Sequence, residues 1–267
     1  MKSVLVRLLP VVLLLYVLLS ATVFLMQEHL IFRFVTVSDD RQYGFQTPFE
    51  EVFLNRSDAR LHGILFKAGP DARGLVIYFK GNGGHVGSSQ GMAGQFIALG
   101  FDVLAVDYRG YGKSRGAVNE AALLSDAEAW YDWAAEGYES RDIRLVGFSL
   151  GTAFASHLAA VRPVDHVILF APMKSALDMA SRQFPFFPKF LARYPLRSDL
   201  KLQRSDAQIL IYHGTLDRTI PLASGQGLVG VLGPDDQFRV IENAGHNDVP
   251  FQRDVRVHIA ALWGLNP

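Results

Sequence analysis

The chain has 267 residues, 49% of them hydrophobic and only 19% charged, enough for one α/β domain with a large core and a further apolar segment. Its 26 basic and 26 acidic residues cancel, so neither a nucleic-acid partner nor a solvating acidic tail is indicated. Cysteine is absent, which excludes disulfides, thiol catalysis and thiolate metal sites.

Val4 to Met26 carries one charge, Arg7, and the run from Leu8 to Met26 carries none. About 19 residues at 1.5 Å rise cover roughly 28 Å, close to the thickness of the hydrocarbon layer. The run predicts a transmembrane helix over about 8–26, inside an N-terminal signal anchor spanning 1–27, with Pro10 in its first turn. A cleavable signal peptide is the competing reading. Around Ser20 and Ala21, however, a leucine stands two places before either residue, a poor fit to a small-x-small cleavage site. Lys2 and Arg7 precede the span and only His29 and Arg33 follow closely, which places the N-terminus in the cytoplasm and residues 28–267 on the non-cytoplasmic side of the membrane.

Gln27 to Thr47 reads as a juxtamembrane connector, with Ile31, Phe32 and Phe34 resting on the membrane interface or on the domain. From Glu50 the chain alternates like an antiparallel hairpin: Val52 to Leu54, a turn at Asn55 to Asp58, then Leu61 to Phe66. Gly74 to Phe79 is a continuous apolar run suited to a central parallel strand, and it ends in the glycine-rich loop KGNGGHVG before a helix over Met92 to Leu99. The scheme repeats with a strand at Val103 to Val106, a loop holding Gly110, Gly112 and Gly116, and a helix over Ala121 to Ala135. A third unit starts at Ile143, and Val167 to Pro172 is the next strand. This alternation predicts a mostly parallel sheet with helices on both faces. Between Met173 and Ala207 it lapses into a stretch rich in aromatics and proline. That stretch is either a lid over the sheet edge, about 174–207, or a helical connector packed on the core. The sheet resumes at Ile209 to Tyr212, Pro221 opens a helix, Phe238 to Ile241 is the last strand, and Val255 to Trp263 closes the chain.

In the third unit, IRLVGFSLGTAFASHLA, a short β-prone run meets a serine flanked by glycines and then a helical pattern. Gly147 and Gly151 let the backbone bend sharply around Ser149, which exposes its hydroxyl above the sheet edge. The backbone N–H of Leu150, at the start of the helix, points where a developing oxyanion would lie. A serine nucleophile needs a base and a group that orients the base. Of eight histidines, His246 in AGHND is the best placed, on a glycine-preceded loop after the last strand. Asp217 in HGTLDRTIP follows the preceding strand, where its carboxylate could reach the far imidazole nitrogen.

With GNGG after one central strand, DYRGYGKSRG after the next, GFSLG at the elbow, HGTLDRTIP and AGHND, all behind an N-terminal anchor, the sequence from about Gln27 resembles the α/β-hydrolase superfamily. More narrowly it is similar to the Bem46-like membrane-anchored serine hydrolases. The resemblance implies a triad of Ser149, Asp217 and His246 in the order that superfamily uses. It also implies an oxyanion hole from the backbone N–H groups of Leu150 and Asn82, and acyl transfer to water without metal or organic cofactor. One position departs from the family: Lys80 stands where histidine usually precedes the first glycine of the oxyanion loop. Asp107, Tyr108 and Arg109 read as braces for that loop. The anchor and the aromatic segment favour a lipid-like acyl ester or thioester, with Phe184, Phe186 and Phe187 as the lid residues that meet it. A serine peptidase or amidase, and a catalytically silent membrane-tethered binding protein, are the alternatives.

Overall fold

A computed structural model describes residues 2–265, with side chains from Leu8 onward. Met1, Asn266 and Pro267 lie outside the described residues, as do the side chains of Lys2 and Arg7, whose charges carry the expected orientation. The helices are α1 (Lys2–Ile31), α2 (Gln90–Ile97), α3 (Glu120–Ala135), α4 (Gly151–Val161), α5 (Ala176–Gln183), α6 (Ser198–Leu202), α7 (Leu222–Gln226) and α8 (Arg253–Leu262). The strands are β1 (Phe49–Asn55), β2 (Ala59–Phe66), β3 (Leu75–Phe79), β4 (Asp102–Asp107), β5 (Arg115–Gly116), β6 (Ile143–Phe148), β7 (His166–Phe170), β8 (Gln208–Gly214) and β9 (Gln237–Ile241).

The strands form one sheet in the order β1-β2-β4-β3-β6-β7-β8-β9, with β5 paired to β2. β1, β2 and β4 pair antiparallel, and every pairing from β4 through β3 to β9 is parallel. Antiparallel pairing suits the short turn between β1 and β2, whereas parallel neighbours need the helical crossovers that follow β3, β4 and β6. Because both faces are covered, β3 and β4 are buried at every position, as continuous apolar runs require.

Alternation along β3 sends Leu75, Ile77 and Phe79 into one core and Val76 and Tyr78 into another. The first core holds Leu123 and Trp130 of α3 and Phe154 and Leu158 of α4; the second holds Met92 and Phe96 of α2, Ile259 of α8, and Trp263 beyond it. Asn119 and Ser175 cap α3 and α5 by accepting from the N–H groups of Ala122 and Asp178.

The N-terminal helix is longer than the expected 8–26. It starts at Lys2, so Pro10 lies inside it rather than in its first turn, and it runs to Ile31, past the expected anchor boundary at residue 27. Leu8–Ile31 is long and apolar enough to cross a membrane, and Leu8 to Leu19 is exposed throughout. Its last turns instead lie against the domain. Ser20 and Gln27 are buried, and Phe32 enters the first core with Ile31 and Phe34 packed around it. Of the two placements open for Ile31, Phe32 and Phe34, the structure takes packing on the domain. Pro221 also sits just outside its helix, as the cap residue before Leu222.

Candidate active site

Four loops meet at the C-terminal ends of the parallel strands, where ligands bind in open α/β sheets. They follow β3, β6, β8 and β9 and carry Asn82, Ser149, Asp217 and His246. Ser149 sits between β6 and α4 with φ +53°, a left-handed conformation that is uncommon for a side-chain-bearing residue. Its N–H donates to Phe170 O at 2.9 Å, and its carbonyl accepts from Thr152 N–H at 3.0 Å. The flanking glycines make this bend possible by close approach. A Cβ on Gly147 would come within 2.6 Å of Thr152 Cα, and one on Gly151 would overlap the Phe79 carbonyl.

Asp217 follows β8 and is almost fully buried. Its Oδ1 accepts from the N–H groups of Thr219 and Ile220, both at 2.8 Å, and its Oδ2 accepts from His246 Nδ1 at 2.7 Å. Burial alone would raise this carboxyl's pKa. The hydrogen bonds of His213, His246 and Ile220 outweigh it and hold the carboxyl well below the usual carboxylate range. Fixing Nδ1–H in this way leaves Nε2 as the basic nitrogen of His246. The imidazole lies against Phe148, the residue before Ser149, with ring centroids 5.0 Å apart. Among the described residues no hydrogen bond joins Ser149 Oγ to His246 Nε2, a link that often forms only when substrate is bound.

His213, which ends its strand too early to serve as the base, is instead the buried neighbour of Asp217. It is fully buried, its Nε2 lies 3.4 Å from Asp217 Oδ2, and that nitrogen donates to Ile220 O at 2.9 Å. The spacing His-x-x-x-Asp in HGTLD was the available signal, because one turn returns the carboxylate to the end of the strand that carries the histidine.

The loop after β3 is braced from several sides. Lys80 Nζ donates to Gly84 O at 3.0 Å, lies 4.1 Å from the Tyr111 ring centre and stands 3.8 Å from buried Asp107. Burial pushes its pKa down to about 8, against the opposing pull of Asp107. Asp107 Oδ1 accepts from Val86 N–H, Tyr108 Oη donates to Lys80 O, and Arg109 pairs with Asp126 and Asp58. Asp107 and Tyr108 thus brace the loop, whereas Arg109 instead ties the β1–β2 turn to α3. The Asn82 side chain is tied to the end of the N-terminal helix: Nδ2 donates to Ile31 O at 2.6 Å, and Oδ1 accepts from Arg33 N–H at 3.0 Å and Tyr111 Oη at 2.6 Å. Neither Asn82 N–H nor Leu150 N–H donates to a protein acceptor among the described residues.

The segment after β7 contains α5 and α6. Between them Phe184 and Phe187 are half-buried, whereas Phe186 is 83% exposed. A groove of about 380 Å³ between β1 and α3, lined by Leu54, Arg56, Trp133 and Glu136 among others, includes none of the candidate site residues. Among the described residues no cluster of histidine and carboxylate side chains could hold a metal ion.

The sheet order and the serine bend together define an α/β hydrolase. The chain belongs to the Hydrolase_4 family of that superfamily, described as serine aminopeptidase, S33, whose model matches residues 70–204. It is 31% identical over 192 residues to an uncharacterised protein of Mycobacterium tuberculosis, covering 70% of this chain and 67% of that one. It is 33% identical over 180 residues to Protein ABHD12B of Homo sapiens, covering 59% of this chain and 49% of the relative, so it spans about half of that protein's length. The Pyrococcus furiosus esterase Pf2001 shares the fold with a TM-score of 0.69 at 17% identity, covering 87% of this chain and 97% of the esterase.

Proposed function

We propose that the protein is a membrane-anchored serine hydrolase that cleaves the carboxylic ester or thioester bond of a lipid-like acyl substrate through Ser149, His246 and Asp217. The observation that carries this reading is the bonded Asp217–His246 pair lying against an elbow that holds Ser149 at positive φ. Ser149 Oγ attacks the acyl carbonyl carbon while His246 Nε2 takes its proton, and Asp217 steadies the imidazolium through Nδ1–H. The N–H groups of Leu150 and Asn82 receive the oxyanion. Collapse of the tetrahedral species expels the alcohol or thiol, which leaves with the proton from His246. Water, deprotonated by the same nitrogen, then releases the acid and restores Ser149. No step calls for a metal or an organic cofactor.

In this reading residues 1–27 are the anchor, 28–267 the hydrolase domain on the non-cytoplasmic side, and 174–207 a lid whose Phe184, Phe186 and Phe187 lie on the route of a long acyl chain. The exposed apolar length of α1 and the aromatic lid support a lipid-like substrate. The family's description as a serine aminopeptidase favours a second reading, amide cleavage by the same triad. Fluorophosphonate labelling of the full chain, with and without Ser149→Ala, followed by a panel of ester, thioester and amide substrates, separates these. Labelling lost in Ser149→Ala and turnover fastest on long acyl esters or thioesters is the expected result. Labelling that persists in the variant overturns the nucleophile, and faster amide turnover overturns the substrate class.

A further inference from the structure

The tip of the lid is fastened alongside α1, well up from the helix's end. Tyr16 Oη donates to Phe186 O at 3.0 Å, Gln27 Nε2 donates to Leu191 O at 2.9 Å, and Gln27 Oε1 accepts from Arg193 N–H at 2.7 Å. Glu28 then accepts from Arg193 Nη2 at 2.7 Å and from Tyr194 Oη at 2.9 Å. The lid therefore follows the helix from Tyr16 to Glu28, about 18 Å at 1.5 Å per residue. Its polar fastenings gather at Gln27 and Glu28, beyond the charge-free run.

Tyr16 lies within that run, ten residues before Met26. When the run spans a hydrocarbon layer roughly 30 Å thick, Tyr16 stands about 15 Å inside its edge, and the bond to Tyr16 holds Phe186 at the same depth. The chemistry of residues 184–191 suits such a depth. Phe186 and Phe190 are 83% and 86% exposed, and Pro185 and Pro188 carry no N–H to satisfy. The N–H groups of Phe184, Phe187 and Leu191 donate to Ala180, Phe184 and Pro188, while the carbonyls of Phe186 and Leu191 are taken by α1. These pairings lower the cost of taking the segment into hydrocarbon, which then falls on the N–H groups of Phe186, Lys189 and Phe190, without a protein acceptor among the described residues. Lys189 is the sole charge between Gln183 and Ala192, on a stem long enough to carry its ammonium toward the interface.

We propose that residues 184–191 form a wedge that enters the apolar layer of a phospholipid bilayer together with α1, Phe186 and Phe190 meeting the acyl chains directly. The proposal rests on α1 being a membrane span and is independent of the triad. It makes the bilayer interior, not water, the phase from which an acyl substrate reaches the lid.

The chain has no cysteine, so a single introduced thiol can be labelled uniquely in the full-length protein. The nitrobenzoxadiazole fluorophore is placed at Phe186→Cys, Phe190→Cys, Leu13→Cys in α1 and Val257→Cys in α8, and each protein is reconstituted into phosphatidylcholine vesicles. Labels at 13, 186 and 190 should emit at shorter wavelength and be quenched severalfold more by acyl-chain spin-labelled lipid than by aqueous iodide. The label at 257 should show the reverse. Labels at 186 and 190 that behave like 257 while 13 is quenched from the acyl chains overturn the wedge alone. Iodide access at 13 as well overturns the membrane span and the wedge together. Unchanged thermal unfolding of each variant secures the comparison, since all four side chains are exposed.

Discussion

Asp217→Asn isolates the contribution of one buried carboxylate to both chemistry and stability. Asparagine keeps an oxygen for the N–H groups of Thr219 and Ile220 and places its NH₂ where Oδ2 accepts from His246. Donor then faces donor, and the imidazole relieves the clash by moving its proton to Nε2, the nitrogen that receives the Ser149 proton in the proposed mechanism. A wrong tautomer of this kind lowers kcat by about 10⁴. The charge-assisted bond that is lost contributes about 1.5–3 kcal/mol, which for a domain of this size lowers Tm by roughly 3 to 12 °C. The assay is p-nitrophenyl acetate hydrolysis by the full chain in detergent, with thermal unfolding on the same preparation. Asp178→Asn and Asp199→Asn are the controls, because those carboxylates serve Arg182 and Ser224, and Arg197, away from His246. The folded Asp217 is held below its ordinary value near 3.8, so its stabilisation is complete above that pH and is lost as pH falls through the lower folded value. The variant should lack that part of the acid-side decline. A folded Asp217→Asn protein that keeps more than a tenth of wild-type kcat, or a larger loss in either control, would refute the reasoning.

Gly151→Ala should abolish soluble expression or activity, since its methyl would overlap the Phe79 carbonyl; Gly94→Ala, in open space on α2, should raise Tm by a few degrees, and equal behaviour of the two would refute the packing argument. Removing residues 1–19 should preserve short-ester turnover because the seated part of α1 remains. Removing 1–35 strips both main-chain partners from Asn82 and should lower kcat by about 10²; equal kcat in the two truncations would show that the tie to Asn82 is idle in the reaction. Lys80→Met removes the ammonium that stands beside buried Asp107, and urea unfolding across pH compares its stability with that of wild type. The unfolded lysine binds its proton up to a pKa of 10.5 and the folded one only to about 8, so wild type should gain stability over the variant between those values, and a falling difference would contradict the burial argument.

What the sequence could convey here depended on whether the information was local. Gly74 to Phe79 and Val103 to Val106 announce central strands because burial on both faces leaves no room for polar alternation; the structure drops Gly74 from the first and adds Asp102 and Asp107 to the second. The serine bend was equally legible, since the glycines at 147 and 151 are there for contacts within a few residues and with the neighbouring strand. The bonded pair at 217 and 246 could be anticipated because strand order brings the loops after β8 and β9 to the same edge. Other features depend on contacts that no spacing encodes. Asn82 meets Ile31 and Arg33 about fifty residues away through their main-chain groups, so any residues there would have served and none could be recognised. Gln27 reads as the polar end of an apolar run, yet it is buried because its amide meets two main-chain groups of the segment between α5 and α6. The same contacts join the parts that composition separates. From Tyr194 the path runs through the rings of Phe32, Phe34 and Tyr111, at successive centroid distances of 5.1, 5.7 and 5.4 Å, and ends at the Asn82 carboxamide. An apolar N-terminus would by itself be a tether and nothing more. Here the turn that ends it is packed into the domain and bonded to the loop beside Ser149, so the seating of the helix and the shape of the candidate site are fixed by one set of contacts.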